Sequence, residues 1–249
     1  MKIGVFGDSF AAEVGGSKYL ENESWVNYIR NKGYEIISHG MTGTSSFHSF
    51  KKFLEFNDDY THIVFCWSFV HRIPYMPDKY KSLSFCYDPH HFISSGTAER
   101  WFQVYTPDEQ EEIKLILSAA HISRDDFLNL WIQQKLFEDV NNLCREKNKK
   151  LINIFSFLND NDPYNNLNWS KKFGDVFYNL TSVSHKELKL DLRDIRYCHL
   201  SKENNEVLGN LILDRFSKND SITINLFKEI DFIYSKEIAD RYTKISTFK

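Results

Sequence analysis

The run K-I-G-V-F-G-D-S-F, Lys2 to Phe10, decides how the rest of the chain is read. Lys2 to Phe6 is short and apolar, which predicts a buried strand. Gly7-Asp8-Ser9 follow it, three residues that favour a turn, so a serine hydroxyl is expected at the strand's carboxyl end. Gly7 permits a tight turn, and Asp8 can fix it by side-chain to backbone hydrogen bonds. The same alternation of apolar run, polar turn and periodic segment continues outward. Past a looser stretch with Gly15-Gly16, Ser24 stands where it can cap a helix through Trp25, Val26, Tyr28 and Ile29, ended by Gly33. Tyr34 to Ser38 is a second strand, running into the turn His39-Gly40-Met41-Thr42-Gly43-Thr44-Ser45. From Ser46, Phe47, Phe50 and Leu54 recur at helical spacing, and Thr61 to Trp67 is a third strand.

Residues 75–106 break this rhythm with a long aperiodic segment rich in aromatics, among them Tyr75, Tyr80, Phe85, Tyr87, Phe92, Trp101 and Phe102. Such a segment reads as a lid or binding loop, and its aromatics as packing or as stacking surfaces for sugar rings. Helices are expected over Asp108 to Ala120 and Asp125 to Lys147. The second of these has Leu128, Trp131, Ile132, Leu136, Val140 and Leu143 on one face. Leu151 to Phe157 is a fourth strand, and a weakly patterned stretch runs on to Arg193. Ser201 then caps a helix with Val207, Leu208, Leu211, Ile212 and Phe216 inward. Strands alternating with helices predict an α/β fold, a three-layer sandwich around a mainly parallel central sheet. Residues 1–218 form its domain, with 75–125 as an insertion or lid. Residues 219–249 form a C-terminal helical extension. In such sheets, sites form at the carboxyl ends of strands.

Composition narrows the function. The 249 residues are 42% hydrophobic and 26% charged, which excludes a disordered or fibrous chain. A net charge of -3 excludes a generally basic nucleic-acid binder. No apolar run approaches the ~18–20 residues of a membrane span, and Ile3 to Phe6 is too brief for a signal-peptide core. A cytoplasmic protein is expected. Cys66, Cys86, Cys144 and Cys198 form no C-x-x-C pair, so reduced thiols are expected rather than disulfides or zinc. His90-His91 lacks the spaced partners of a metal site. No metal or organic cofactor is implied, nor a nucleic-acid or membrane partner; a homo-oligomer is left open.

A serine hydroxyl becomes a good nucleophile when a base takes its proton, and histidine suits that task near neutral pH. His199 stands in R-Y-C-H-L-S-K-E-N-N, directly before the last core helix. Gly43 in the turn after the second strand can offer a backbone N–H to an oxyanion. Taken together, G-D-S after the first strand, a tryptophan opening the next helix, a G-x-x-G turn after the second strand and H-L-S opening the final helix resemble the SGNH, or GDSL, hydrolase superfamily. The resemblance covers about residues 1–74 and 150–216. It implies a flavodoxin-like sandwich, Ser9 as nucleophile and His199 as base. It further implies an oxyanion hole from the N–H groups of Ser9 and Gly43, and small acyl esters as substrates, with carbohydrate O-acetyl esters one option. An acyltransferase or a ligand-binding relative is the alternative.

Two blocks depart from the family pattern. The third is usually G-x-N-D, its Asn an oxyanion donor, whereas here the strand runs into Cys66-Trp67-Ser68-Phe69-Val70-His71-Arg72. The last is usually D-x-x-H, whereas Arg196 stands three residues before His199. Asp194 is the acid that could orient the imidazole; its other reading is a solvated carboxylate pairing with Arg193. Asp8, Trp67, Ser68 and His71 are the residues expected to contact substrate.

Overall fold

The computed structural model describes residues 1–13, 24–41, 44–68, 105–122, 126–156, 175–178, 180 and 200–218. Five parallel strands lie in the order β2-β1-β3-β4-β5. They are β1 (Lys2–Phe6), β2 (Glu35–Ser38), β3 (His62–Trp67), β4 (Lys150–Phe155) and β5 (Asp175–Tyr178). Register is unbroken between neighbours: Ile3 pairs with Ile36 on one side and with His62 on the other, and Phe65 pairs with Asn153. The helices are α1 (Trp25–Asn31), α2 (Ser46–Phe56), α3 (Pro107–Ile122), α4 (Asp126–Glu146) and α5 (Lys202–Ser217).

Because strand side chains alternate, one sequence supplies two cores. Ile3, Val5, Val64, Cys66, Ile152 and Ile154 point to one face, where Trp25, Val26 and Ile29 of α1 and Leu208, Ile212 and Phe216 of α5 cover them. Phe6, Ile63, Phe65, Trp67, Leu151 and Phe155 point to the other, under Phe53 of α2 and Leu136, Phe137, Val140 and Cys144 of α4. The first core is mainly aliphatic and the second mainly aromatic. In the second, the rings of Phe65 and Trp67 stack with centroids 4.1 Å apart. A polar pair, Asn153 and Asn141, interrupts it, with Asn153 fully buried between Leu151 and Phe155. Asn153 Oδ1 accepts from Trp67 Nε1 at 2.9 Å and its Nδ2 donates to Asn141 Oδ1 at 3.3 Å, so this buried amide is hydrogen-bonded on both ends.

The serines at the helix starts act as expected. Ser24 Oγ accepts from Asn27 N–H, and Ser201 Oγ accepts from Asn204 N–H. Three expectations are corrected. Leu54 and Trp131 face solvent, 51% and 49% exposed. In α2 the buried face instead runs through Ser46, Ser49 and Phe53, and in α4 Phe137, outside the expected stripe, takes a core position beside Leu136 and Val140. The third correction is β5, a strand inside the stretch read as weakly patterned; it pairs in parallel with β4 from Ile152↔Asp175 to Phe155↔Tyr178. The proposed insertion is described only over residues 105–122, and 219–249 lie outside the described residues.

Candidate active site

In a 2-1-3-4-5 sheet the strand order reverses between β1 and β3, and the crevice at their carboxyl ends is where ligands bind. Ser9 lies there, two residues past Gly7, half-buried. The turn that carries it is closed by Ala11 and Ala12 N–H groups donating to the Asp8 carbonyl at 3.0 and 3.1 Å. Asp8 Oδ1 accepts from Phe10 N–H at 3.0 Å, the side-chain to backbone bond expected from the sequence.

Gly7 could not be another residue without rearrangement. Its φ is +155°, and a Cβ there would stand 2.5 Å from Cys66 Cβ. Gly40, after β2, is as tightly fitted: a Cβ would lie 2.6 Å from the Ala11 carbonyl carbon. These two positions let the first and second polar turns touch. Met41 N–H donates to the Gly7 carbonyl at 3.1 Å, and Ser38 Oγ donates to the Ala11 carbonyl at 2.5 Å while accepting from Gly40 N–H at 2.9 Å. Glu13 completes the seam. Its Oε1 accepts from Ser38 N–H at 3.1 Å and from Arg30 Nη2 at 2.5 Å.

His39 anchors the second turn from below. Its ring is sandwiched between Phe6 and Phe56, with centroids 5.0 and 4.4 Å away, and Nε2 lies 2.7 Å from Tyr60 Oη. Burial and then the nearby Lys52 hold its pKa below the usual histidine range. Thr44 ties the turn to the third strand, because its carbonyl accepts from Ser68 Oγ at 2.8 Å. Ser68 N–H donates to Ser46 Oγ at 3.0 Å, and the Ser68 carbonyl accepts from Gln133 Nε2 of α4 at 3.2 Å.

This geometry revises the expected contact residues. Trp67 is fully buried, its ring against Phe65, Phe137 and Phe155 and its N–H on Asn153, so it packs the core and presents no surface to a ligand. Asp8 is likewise fully buried and builds the turn. Ser68 is 2% exposed and commits both its N–H and its hydroxyl to protein partners, so neither donor faces the crevice. Gly43, His71, Asp194 and His199 lie outside the described residues; their chain neighbours Thr44 and Leu200 are described. Cys66, in β3 against Gly7, is fully buried. Desolvation first, and the Asp8 charge second, push its thiol pKa far up, so it stays protonated and is no competing nucleophile.

The described chain is thus a doubly wound parallel α/β protein whose switch-point turn carries a serine. No family model and no curated protein matches it. Among solved structures, a lipolytic protein of the G-D-S-L family from Desulfitobacterium hafniense DCB-2 is similar with a TM-score of 0.44 and 11% identity, over 84% of this chain and 95% of that one. The psychrotrophic esterase EstA from Pseudoalteromonas sp., in a structure inhibited by monoethylphosphonate, is similar with a TM-score of 0.41 and 12% identity, over 87% and 96%. Among the described residues no group of His, Cys, Asp and Glu could hold a metal ion, and no helix is long and apolar enough to cross a membrane.

Proposed function

We propose that this protein is a serine ester hydrolase of the SGNH type acting on small acyl esters. The observation that carries the reading is the position of Ser9: half-buried, on a hydrogen-bonded turn, at the carboxyl edge where the strand order reverses between β1 and β3. In this mechanism Ser9 Oγ attacks the ester carbonyl as His199 takes its proton. The N–H groups of Ser9 and Gly43 hold the tetrahedral oxyanion. His199 then protonates the leaving alcohol as the C–O bond breaks. Water, deprotonated by His199, attacks the acyl-serine and releases the acid and free Ser9. Asp194 orients the imidazole. Two contacts of chain neighbours support this assembly: Thr44, next to Gly43, is tied to Ser68 at the end of β3, and Leu200, next to His199, is buried in the same core cluster as Phe10, the residue after Ser9.

A second reading, a ligand-binding protein with weakened catalysis, is favoured by Ser68. Its engaged donors leave the role of the family's third-block Asn unfilled at that position, and loss of one oxyanion donor costs ~10²–10³ in rate. Turnover of a short-chain nitrophenyl ester by the wild type and Ser9→Ala decides between them. The hydrolase reading expects at least a ~10³-fold loss and a fluorophosphonate adduct mapping to Ser9. Equal turnover by both proteins would sink it.

A further inference from the structure

Two buried side chains from distant parts of the sequence join the turn carrying Ser9 to the segment that opens α5. Trp25, 1% exposed, donates its indole Nε1–H to the Phe10 carbonyl at 2.7 Å. Its backbone N–H donates to Asn205 Oδ1 at 3.0 Å, across 180 positions of sequence. The Asn205 amide in turn donates to the carbonyls of Leu200 and Ser201, both at 3.0 Å. Phe10 follows Ser9 and Leu200 follows His199 in the chain. Each end of the path therefore stands one peptide unit, ~3.8 Å between Cα atoms, from a residue of the proposed dyad.

Packing alone does not require this arrangement. The N–H of Trp25 is one of the donors that a helix start leaves without an intrahelical partner, and water or a local cap commonly satisfies it. Here a side chain from α5 does so, although Ser24 already caps the same helix at Asn27. An apolar residue at 205 would fill the space, yet it could not span the two segments. Asn205 is 3% exposed and uses its oxygen on one element and its nitrogen on the other, so the segments cannot slide past each other without stranding buried polar groups.

We propose that Asn205, acting through Trp25, is a positioning residue that sets the separation of Ser9 and His199. The proposal rests on the hydrolase reading. A shift of about 1 Å between reacting groups can cost ~10²-fold in rate, and it acts on the chemical step more than on substrate binding. The test measures kcat and KM on a nitrophenyl ester for wild type, Ser9→Ala, Asn205→Asp, Trp25→Phe and the Asn205→Asp/Trp25→Phe double variant, all below their melting temperatures. Asn205→Asp is nearly isosteric, keeps the acceptor for Trp25 and removes both donors. Lys149→Met serves as a destabilised control, because Lys149 Nζ ties the Asn57 and Tyr60 carbonyls at the opposite edge of the sheet.

The expected result is a ~10–100-fold fall in kcat for Asn205→Asp and Trp25→Phe, with KM within about twofold and the double variant no worse than the poorer single. A kcat for Asn205→Asp or Trp25→Phe equal to that of Lys149→Met overturns the proposal, as does a rise in KM with kcat intact. If Asn205→Asp fails to fold, Trp25→Phe alone decides by the same criterion. An inert wild type, or a Ser9→Ala variant as fast as wild type, overturns the hydrolase reading and the positioning role with it. Ser9-dependent turnover that Asn205→Asp leaves untouched overturns the positioning role alone.

Discussion

Alanine at position 7 would have to hold φ near +155° with its Cβ 2.5 Å from Cys66 Cβ and 2.7 Å from the Cys66 carbonyl oxygen. Strain and overlap add, so Gly7→Ala is expected to lose about 3 kcal/mol in a urea titration, with fluorophosphonate labelling of Ser9 lost in step. At the opposite edge, His62 gives a pH dependence that can be worked out. Its ring lies against Phe216, with Nδ1 2.8 Å from Thr61 Oγ1. Burial, then Lys150 and the N-terminal amine, lower its pKa from 6.5 to about 4. The unfolded chain therefore binds this proton first as pH falls. The contribution to stability is whole above about pH 6.5 and drains away down to about pH 4. The ring is partly exposed, so solvent screening reduces it to about 1 kcal/mol. His62→Gln should flatten the slope of the urea midpoint across that window; an unchanged slope would place the acid sensitivity elsewhere.

At the scale of elements, helix starts were readable because capping is local chemistry: Ser24 and Ser201 each bond an N–H three residues on, as their positions before apolar periodic runs implied. Ser201→Ala should cost about 1 kcal/mol in chemical denaturation. Helix phase was less legible. Spacing fixes that a stripe exists, but which apolar residues of the helix point inward depends on its rotation against the sheet. Hence Trp131 lies outside and Phe137 inside. Phe137→Ala should lose ~3–5 kcal/mol, whereas Trp131→Gln should stay within ~0.5 kcal/mol; comparable losses would contradict this facing of α4. β5 escaped notice because Asp175-Val176-Phe177-Tyr178 is only four residues long and opens on a carboxylate. Its pairing with β4 overrides weak local preference.

Across the whole molecule, the parallel sheet and its layers followed from the alternation of apolar runs with helical spacing, and so did the polar turn Gly7-Asp8-Ser9 at the end of the first run. What could not be foreseen was which polar residues the core would absorb. Trp67 and Ser68 adjoin the carboxyl edge of the sheet in sequence, but the alternation of β3, the Asn153 amide, the accepting Ser46 hydroxyl and the donating Gln133 amide draw them inward. The bridge through Asn205 was equally hidden, since a contact across 180 positions leaves no local trace. Thiol accessibility checks the layering. Cys66 and Cys144 are both buried, and burial pushes the Cys144 pKa up to about 12. Iodoacetamide should leave both unmodified in the native chain and alkylate both in urea, as mapped by mass spectrometry.

The packing of α5 on α1 has a consequence for biosynthesis. The apolar stripe of Trp25, Val26 and Ile29 emerges from the ribosome long before Leu208, Ile212 and Phe216, which cover it. At ~5–20 residues per second the delay is roughly 10–40 s. Throughout it, a greasy surface and the growing sheet beneath stay uncovered. Until its last core helix arrives, the nascent chain is open to aggregation through that surface.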